Sequence, residues 1–86
     1  MAGALRIDKW LFHARFCKTR ALAQEKARTG QIRLNGQPVE KPHTPVKPGD
    51  ILTLPSGGSV FILKIRDLGE RRGRFSEAQA LYERMD

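Results

Sequence analysis

The chain predicts an α+β domain, with two N-terminal helices packed on a small, strongly bent, mainly antiparallel sheet and a C-terminal helix. Three observations predict it. Apolar residues recur at helical spacing twice within the first third of the chain. From Ile32 they alternate with polar residues between turn signals at Asn35-Gly36, Pro48-Gly49-Asp50 and Pro55-Ser56-Gly57-Gly58. Helical spacing then returns after Gly73. At 86 residues the chain supports one small core, and no internal repeat is visible.

The stretch from Met1 to Leu5 reads as a disordered start. Asp8 is the expected N-cap of a first helix from Lys9 to about Phe16. Ile7, Trp10, Leu11 and Ala14 fall on one stripe, while Lys9, His13 and Arg15 lie off it. Phe12 and Phe16 form a second aromatic pair, facing either the core or the basic residues. Thr19 caps a second helix that runs to about Thr29, and Gly30 ends it. Leu22, Ala23 and Ala27 make its narrow buried face, with the Lys26 stem along the core edge.

Asn35-Gly36 is a hairpin signal because both residues tolerate positive φ. The hairpin joins the Ile32–Leu34 strand to a short return strand anchored by Val39. The stretch from Lys41 to Pro48 reads as a loop stiffened by prolines. Strands follow at Ile51–Leu54 and at about Val60–Arg66, where Phe61, Leu63 and Ile65 share a face. Residues 68–74 read as a basic linker, and Ser76 with Gln79 as a capping box. A last helix is expected from Glu77 to Met85, with Ala78, Leu81, Tyr82 and Met85 inward.

The formal net charge is +7, and it is unevenly placed. Through Lys41 there are nine basic residues against three acids, whereas the remainder carries seven against six. Such a surface attracts polyanions, nucleic acid first and an anionic membrane second. No stretch is long or apolar enough to span a bilayer, and Arg6, Asp8 and Lys9 break any secretory apolar region. Cys17 stands alone, without an internal disulfide partner, which fits a cytoplasmic location.

The candidate binding residues cluster at the helix starts. The amides following Thr19 carry partial positive charge, and Lys18 and Arg20 flank them, so a backbone phosphate there would meet amides, a hydroxyl and two cations. Arg6, Lys9 and Arg15 join this group. Arg6 and Lys9 sit where the helix dipole disfavours cations, which fits either phosphate binding or pairing of Arg6 with Asp8 or Asp50. Arg33, Asn35 and Gly36 place a hairpin tip where it can enter a groove or meet a splayed base. Arg71, Arg72 and Arg74 suit a solvated linker and a second phosphate contact equally.

Catalysis finds little footing. His13 and Cys17 are four residues apart and read as a partly buried polar pair, without third and fourth metal ligands. There is no phosphate loop of the nucleotide-hydrolase type. Asp8 and Asp50 read as cap and turn residues rather than an acid–base couple. No metal, cofactor or catalytic residue is expected.

Arg6-Ile7-Asp8, Thr19-Arg20, Gly30-Gln31-Ile32-Arg33-Leu34-Asn35-Gly36 and Gly49-Asp50 resemble, in order and spacing, the RNA-binding domain of the ribosomal protein S-four type. The resemblance covers about Leu5 to Leu54 and implies an alpha-L motif. A narrower resemblance extends over nearly the whole chain. Asp8-Lys9-Trp10-Leu11, Ala14-Arg15-Phe16, Lys18-Thr19-Arg20, Arg71-Arg72-Gly73 and Ala78-Gln79-Ala80-Leu81-Tyr82-Glu83 look like the heat-shock protein 15 family. Lys26 and Ala27 replace larger apolar residues of the broad family, Arg74-Phe75 replaces a common Pro-Ala, and the long basic tail of longer members is not seen after Asp86.

That resemblance implies a non-enzymatic, ribosome-associated protein of the stress response. Such a protein binds ribosomal RNA on the large ribosomal subunit in the rescue of stalled subunits that still hold transfer RNA. The expected organisation is an S-four-type domain over residues 5–67, then a basic linker and helix over 68–86. The RNA contacts expected are Arg6, Lys9, Arg15, Lys18, Thr19, Arg20, Arg33, Asn35 and Gly36. The partners expected are ribosomal RNA and the large subunit, with transfer RNA and then DNA as further candidates, no membrane, and a monomeric state. Two other classes stand beside this reading. One is an RNA-targeting subunit for a separate RNA-modifying enzyme. The other is a protein-interaction adaptor using Phe12, Phe16 and the last helix.

Overall fold

The chain enters its core through backbone pairing. In the computed structural model, which describes residues 3–85, β1 (Leu5–Arg6) pairs antiparallel with β4 (Pro45–Val46). The register sets Leu5 opposite Val46. The expected disordered start is therefore corrected at Leu5, while Met1 and Ala2 lie outside the described residues. The Ile7 and Asp8 amides then donate to the carbonyls of Thr44 and Pro42, at 2.8 and 3.2 Å. The proline-rich stretch thus serves as a partner for the chain start.

Helix α1 (Ile7–His13) begins earlier than its spacing suggests, with Arg6 at the N-cap. Asp8 lies inside its first turn, fully buried, and is not the cap. The helix ends at Ala14, and Arg15 follows at φ +63°. The Phe16 amide donates to the Leu11 carbonyl and the Arg15 amide to the Phe12 carbonyl. This is a Schellman ending with arginine where glycine is the easier residue.

Thr19 caps α2 (Arg20–Arg28) by accepting the Leu22 amide at 3.1 Å. Ala23 and Ala27 are fully buried, whereas Leu22 is 47% exposed, so the expected three-residue face reduces to two alanines. These small residues set how closely α2 approaches α1. Gly30 takes φ +76° beyond the helix end.

The main sheet has five strands in the order β3-β2-β5-β6-β7, all antiparallel. Its members are β2 (Arg33–Leu34), β3 (Gln37–Pro38), β5 (Ile51–Ser56), β6 (Ser59–Ile65) and β7 (Tyr82–Arg84). The β2–β3 turn places Asn35 at φ +51° and Gly36 at φ +84°, the handedness that matches strand twist. Proline 55 belongs to β5, and only Gly57 and Gly58 make the tight turn into β6.

Helix α3 (Phe75–Gln79) is followed by β7, so the expected helix from Glu77 to Met85 is corrected. The capping pair is also displaced, since the Glu77 carboxylate accepts the Arg74 amide at 3.3 Å. The free edge of β6 decides the difference. A five-residue helix gains little by itself, whereas an open strand edge offers a full backbone ladder. Leu63, Lys64 and Ile65 pair with Arg84, Glu83 and Tyr82.

The core joins α1 to the sheet. Ile7, Trp10, Leu52 and Leu63 are fully buried, and Leu11, Ile65, Val46 and Ile32 nearly so. Burial of each such side chain stabilises the fold by roughly 1.5–3 kcal/mol. Trp10 stacks with Phe16 at 5.9 Å between centroids, and Tyr82 meets both rings. The expected α+β class and two-helix packing therefore stand, with a much shorter last helix.

Candidate nucleic-acid interface

Asp8 is the centre of the basic surface. Its carboxylate accepts the Arg6 guanidinium through Nε at 3.0 Å and Nη2 at 2.8 Å, and the Lys9 amide at 2.7 Å. Arg20 approaches the same carboxylate at 3.6 Å. The Asp8 side chain is 0% exposed, against 49% for Arg6 and 38% for Arg20. One buried anion thus holds two half-exposed cations from different elements, β1 and α2. Burial pushes the Asp8 carboxyl up, but the Arg6 hydrogen bonds and charge, the Lys9 amide and the Arg20 charge hold it below its ordinary 3.8. The choice for Arg6 between Asp8 and Asp50 falls to Asp8.

Lys9, Lys18 and Thr19 are exposed beside this node, with Thr19 and Lys18 at the start of α2. The Nε of Arg20 is buried without an acceptor among the described residues. The exposed part of its side chain, 38% of it, leaves the guanidinium accessible beside Asp8.

A second node holds the hairpin. Asp50 accepts the Lys47 amide at 2.9 Å, the Lys47 ammonium at 3.0 Å and the Asn35 amide group at 3.2 Å. The Asn35 side-chain carbonyl accepts the Ile51 amide at 2.9 Å. Burial raises the Asp50 carboxyl, and the Lys47 and Asn35 interactions outweigh it and lower the group from 3.8. Asn35 is thus occupied in fixing the turn, while Gly36 and Arg33 are exposed. Arg33 reaches the Gly36 carbonyl only at 3.5 Å. Lys47 was not among the residues expected at this surface. Its signal was its position three residues before Asp50 in a proline turn.

Arg15 does not join the Arg6–Arg20 group. It lies beyond the other end of α1, and its Nε donates to the Gly73 carbonyl at 2.6 Å. Trp10 Nε1 donates to the Asp67 carbonyl at 2.9 Å, and His13 Nδ1 lies 3.2 Å from the Leu68 carbonyl. The Arg72 guanidinium sits 5.0 Å from the Phe12 ring centroid. Residues 67–73 are therefore strapped to α1 rather than forming a free linker.

Phe12 and Phe16 are both engaged, Phe12 beneath Arg72 and Phe16 in the Trp10–Tyr82–Phe61 cluster. The last helix, the third element suggested for an adaptor surface, is shortened to Phe75–Gln79, and β7 takes the stretch from Tyr82 to Arg84. Cys17 is buried and lines a cleft of about 310 Å³ with Phe16, Lys26 and Phe61. Burial pushes its thiol up from 9.0, with Lys26 opposing the change. The described residues contain no group of three His, Cys, Asp or Glu placed to hold a metal ion, and no helix long and apolar enough to cross a membrane.

This arrangement has relatives. The S4 domain family matches residues 5–52. Heat shock protein 15 of Escherichia coli is 43% identical over 82 residues, covering 95% of this chain and 61% of that protein. The RQC P-site tRNA stabilizing factor of Listeria innocua is 38% identical over 82 residues, covering 95% of this chain and 87% of that protein. The trimeric structure of Vibrio cholerae heat shock protein 15 matches with a TM-score of 0.88 at 38% identity, covering 95% of this chain and 82% of that one. The chain spans about three fifths of the length of the Escherichia coli relative, at 61%. The chain therefore belongs to the S4 domain family, and its relatives there include heat shock protein 15 and the RQC P-site tRNA stabilizing factor.

Proposed function

We propose that this protein binds structured ribosomal RNA, without catalysis, on the large ribosomal subunit during rescue of stalled subunits. The observation that carries the reading is the Asp8 node. A buried carboxylate draws Arg6 and Arg20 together beside Lys9, Lys18 and the Thr19-capped start of α2. Paired guanidiniums and helix-end amides are the groups that grip phosphodiester oxygens. The names of the relatives, a heat shock protein and a stabilizing factor for P-site tRNA, support a ribosomal setting. In this reading Arg6, Lys9, Lys18, Thr19 and Arg20 hold the backbone, with Arg15 beyond the other end of α1. Arg33 and Gly36 meet RNA at the hairpin tip that Asn35 and Asp50 keep rigid.

The test is a salt titration of binding to purified large ribosomal subunits, with small subunits and duplex DNA as competitors. Five phosphate contacts on this surface contribute about −3.5 to −4.5 to the log–log slope. Lys18→Ala with Arg20→Ala is expected to weaken binding and flatten that slope by about 1.4 to 1.8. Unchanged affinity in a folded double variant removes this surface from the proposal. Equal binding to every competitor removes the large-subunit assignment.

A further inference from the structure

The segment that follows β6 carries cations that the first surface does not use. We infer that residues 71–74, strapped against the C-terminal end of α1, form with Arg15 a second contact surface for the RNA backbone. This inference rests on the RNA-binding reading above and adds a separate site to it.

Four observations place the cations together. Arg15 donates Nε to the Gly73 carbonyl at 2.6 Å, which puts it beside residues 72–74. Arg72 places its guanidinium 5.0 Å from the centroid of Phe12, which lies in the last turn of α1, three residues before Arg15. The Arg72 Nε is buried with no acceptor among the described residues, which leaves the outer guanidinium nitrogens as its donors toward a ligand. Arg71 and Arg74 are exposed on either side of the buried Gly73.

The strap is built to hold this arrangement. A Cβ at Gly73 would lie 2.9 Å from a Glu77 carboxylate oxygen and 3.0 Å from the Glu77 Cβ, so a larger residue there would displace the Glu77 side chain. Trp10 and His13 fix the start of the segment through the Asp67 and Leu68 carbonyls. Arg15 itself occupies a left-handed position that glycine would hold more easily. Its side chain gains the Gly73 contact there and brings a positive charge to the strap.

The chemistry favours a phosphodiester chain. Arg71 pairs with Glu77 at 3.3 Å, but those side chains are 70% and 50% exposed. An exposed pair of that kind is held weakly and exchanges readily for a phosphate. Guanidiniums fixed by stacking and by a backbone carbonyl suit phosphate oxygens, which accept in the plane of the fork. The surface lies at the other end of α1 from the Asp8 node. Seven residues of helix separate the two by roughly 10 Å, so one folded RNA can reach both.

The test compares three proteins on purified large ribosomal subunits and on the protein-free RNA of those subunits, by salt titration. They are the wild type, Arg71→Gln with Arg74→Gln, and Lys18→Ala with Arg20→Ala. The strap double is expected to flatten the log–log slope by about 1.4 to 1.8, equally on both probes, with an unchanged thermal midpoint. Each single change is expected to give about half that effect, and the singles supply the reading if the double lowers the midpoint. A flattened slope for Lys18→Ala/Arg20→Ala with no change in the strap variants overturns the second surface alone. A strap effect seen on intact subunits but absent on protein-free RNA overturns it in favour of an acidic protein partner. Failure of the wild type to bind either probe overturns the RNA reading itself.

Discussion

Replacing Asp8 by Asn tests whether the basic surface is organised by one buried charge. Asparagine keeps the size and one carbonyl for the Lys9 amide, but it removes the anion from Arg6 and Arg20. The wild-type carboxylate makes two contacts with Arg6, at 3.0 and 2.8 Å, and one with the Lys9 amide at 2.7 Å. A hydrogen bond to a charged group stabilises by about 1.5–3 kcal/mol, whereas an exposed ion pair gives about 0–1. Arg6 is 49% exposed and rehydrates once released, so the lower part of the first range applies. The expected loss is about 2 kcal/mol near neutral pH, or roughly 8–16 °C in thermal midpoint for a domain of this size.

The pH dependence carries its own sign. The folded-state value of Asp8 lies below 3.8, so its contribution is complete above the unfolded value and is lost as pH falls through the folded one. Wild-type and variant stabilities are therefore expected to converge in acid. Asp50 titrates in the same direction in both proteins, so the difference between them isolates Asp8. Thermal and urea unfolding from about pH 2 to 7 is the assay. A midpoint within about 2 °C of wild type at neutral pH, or a gap that persists undiminished in acid, would refute the reasoning.

Three further outcomes follow from the packing. Asn35→Ala removes the bond from the Ile51 amide and the one to Asp50 from a residue at φ +51°, and is expected to cost about 2 kcal/mol, read as a lower urea midpoint with an unchanged slope. Trp10→Phe leaves the Asp67 carbonyl without its indole donor, so destabilisation of about 1–3 kcal/mol is expected, with faster amide exchange concentrated in residues 67–73. Ala27→Leu forces three extra carbons into the fully buried contact of α2, and a loss of about 1–3 kcal/mol on thermal unfolding would confirm that close approach.

The local features legible in the sequence were those whose causes lie within a few residues. Thr19 caps α2 through an amide three positions on, and Asn35-Gly36 turns the hairpin with its own dihedral angles. The stripe of Ile7, Trp10, Leu11 and Ala14 is buried as its spacing requires. The misreadings have distant causes. Ala78, Leu81, Tyr82 and Met85 have helical spacing, but the edge of β6 captures Tyr82 to Arg84. Leu5 looks like the end of a loose terminus until Val46 pairs with it. Asp8 has the residue type of a cap, yet two arginines from either side of α1 draw it inside.

The sequence by itself determined the family, the α+β class, the two capped or turned junctions and the excess of positive charge in the first half. These follow from residue type and short spacing, which act before the chain has folded. Only the tertiary structure decided how that charge is divided. It set Arg6 and Arg20 on one buried carboxylate and fixed Arg15, beyond the far end of α1, to Gly73. It also converted the C-terminal stretch from helix to edge strand. Each of those outcomes depends on a partner many residues away, whose charge or open backbone groups exist at that place only once the core has closed.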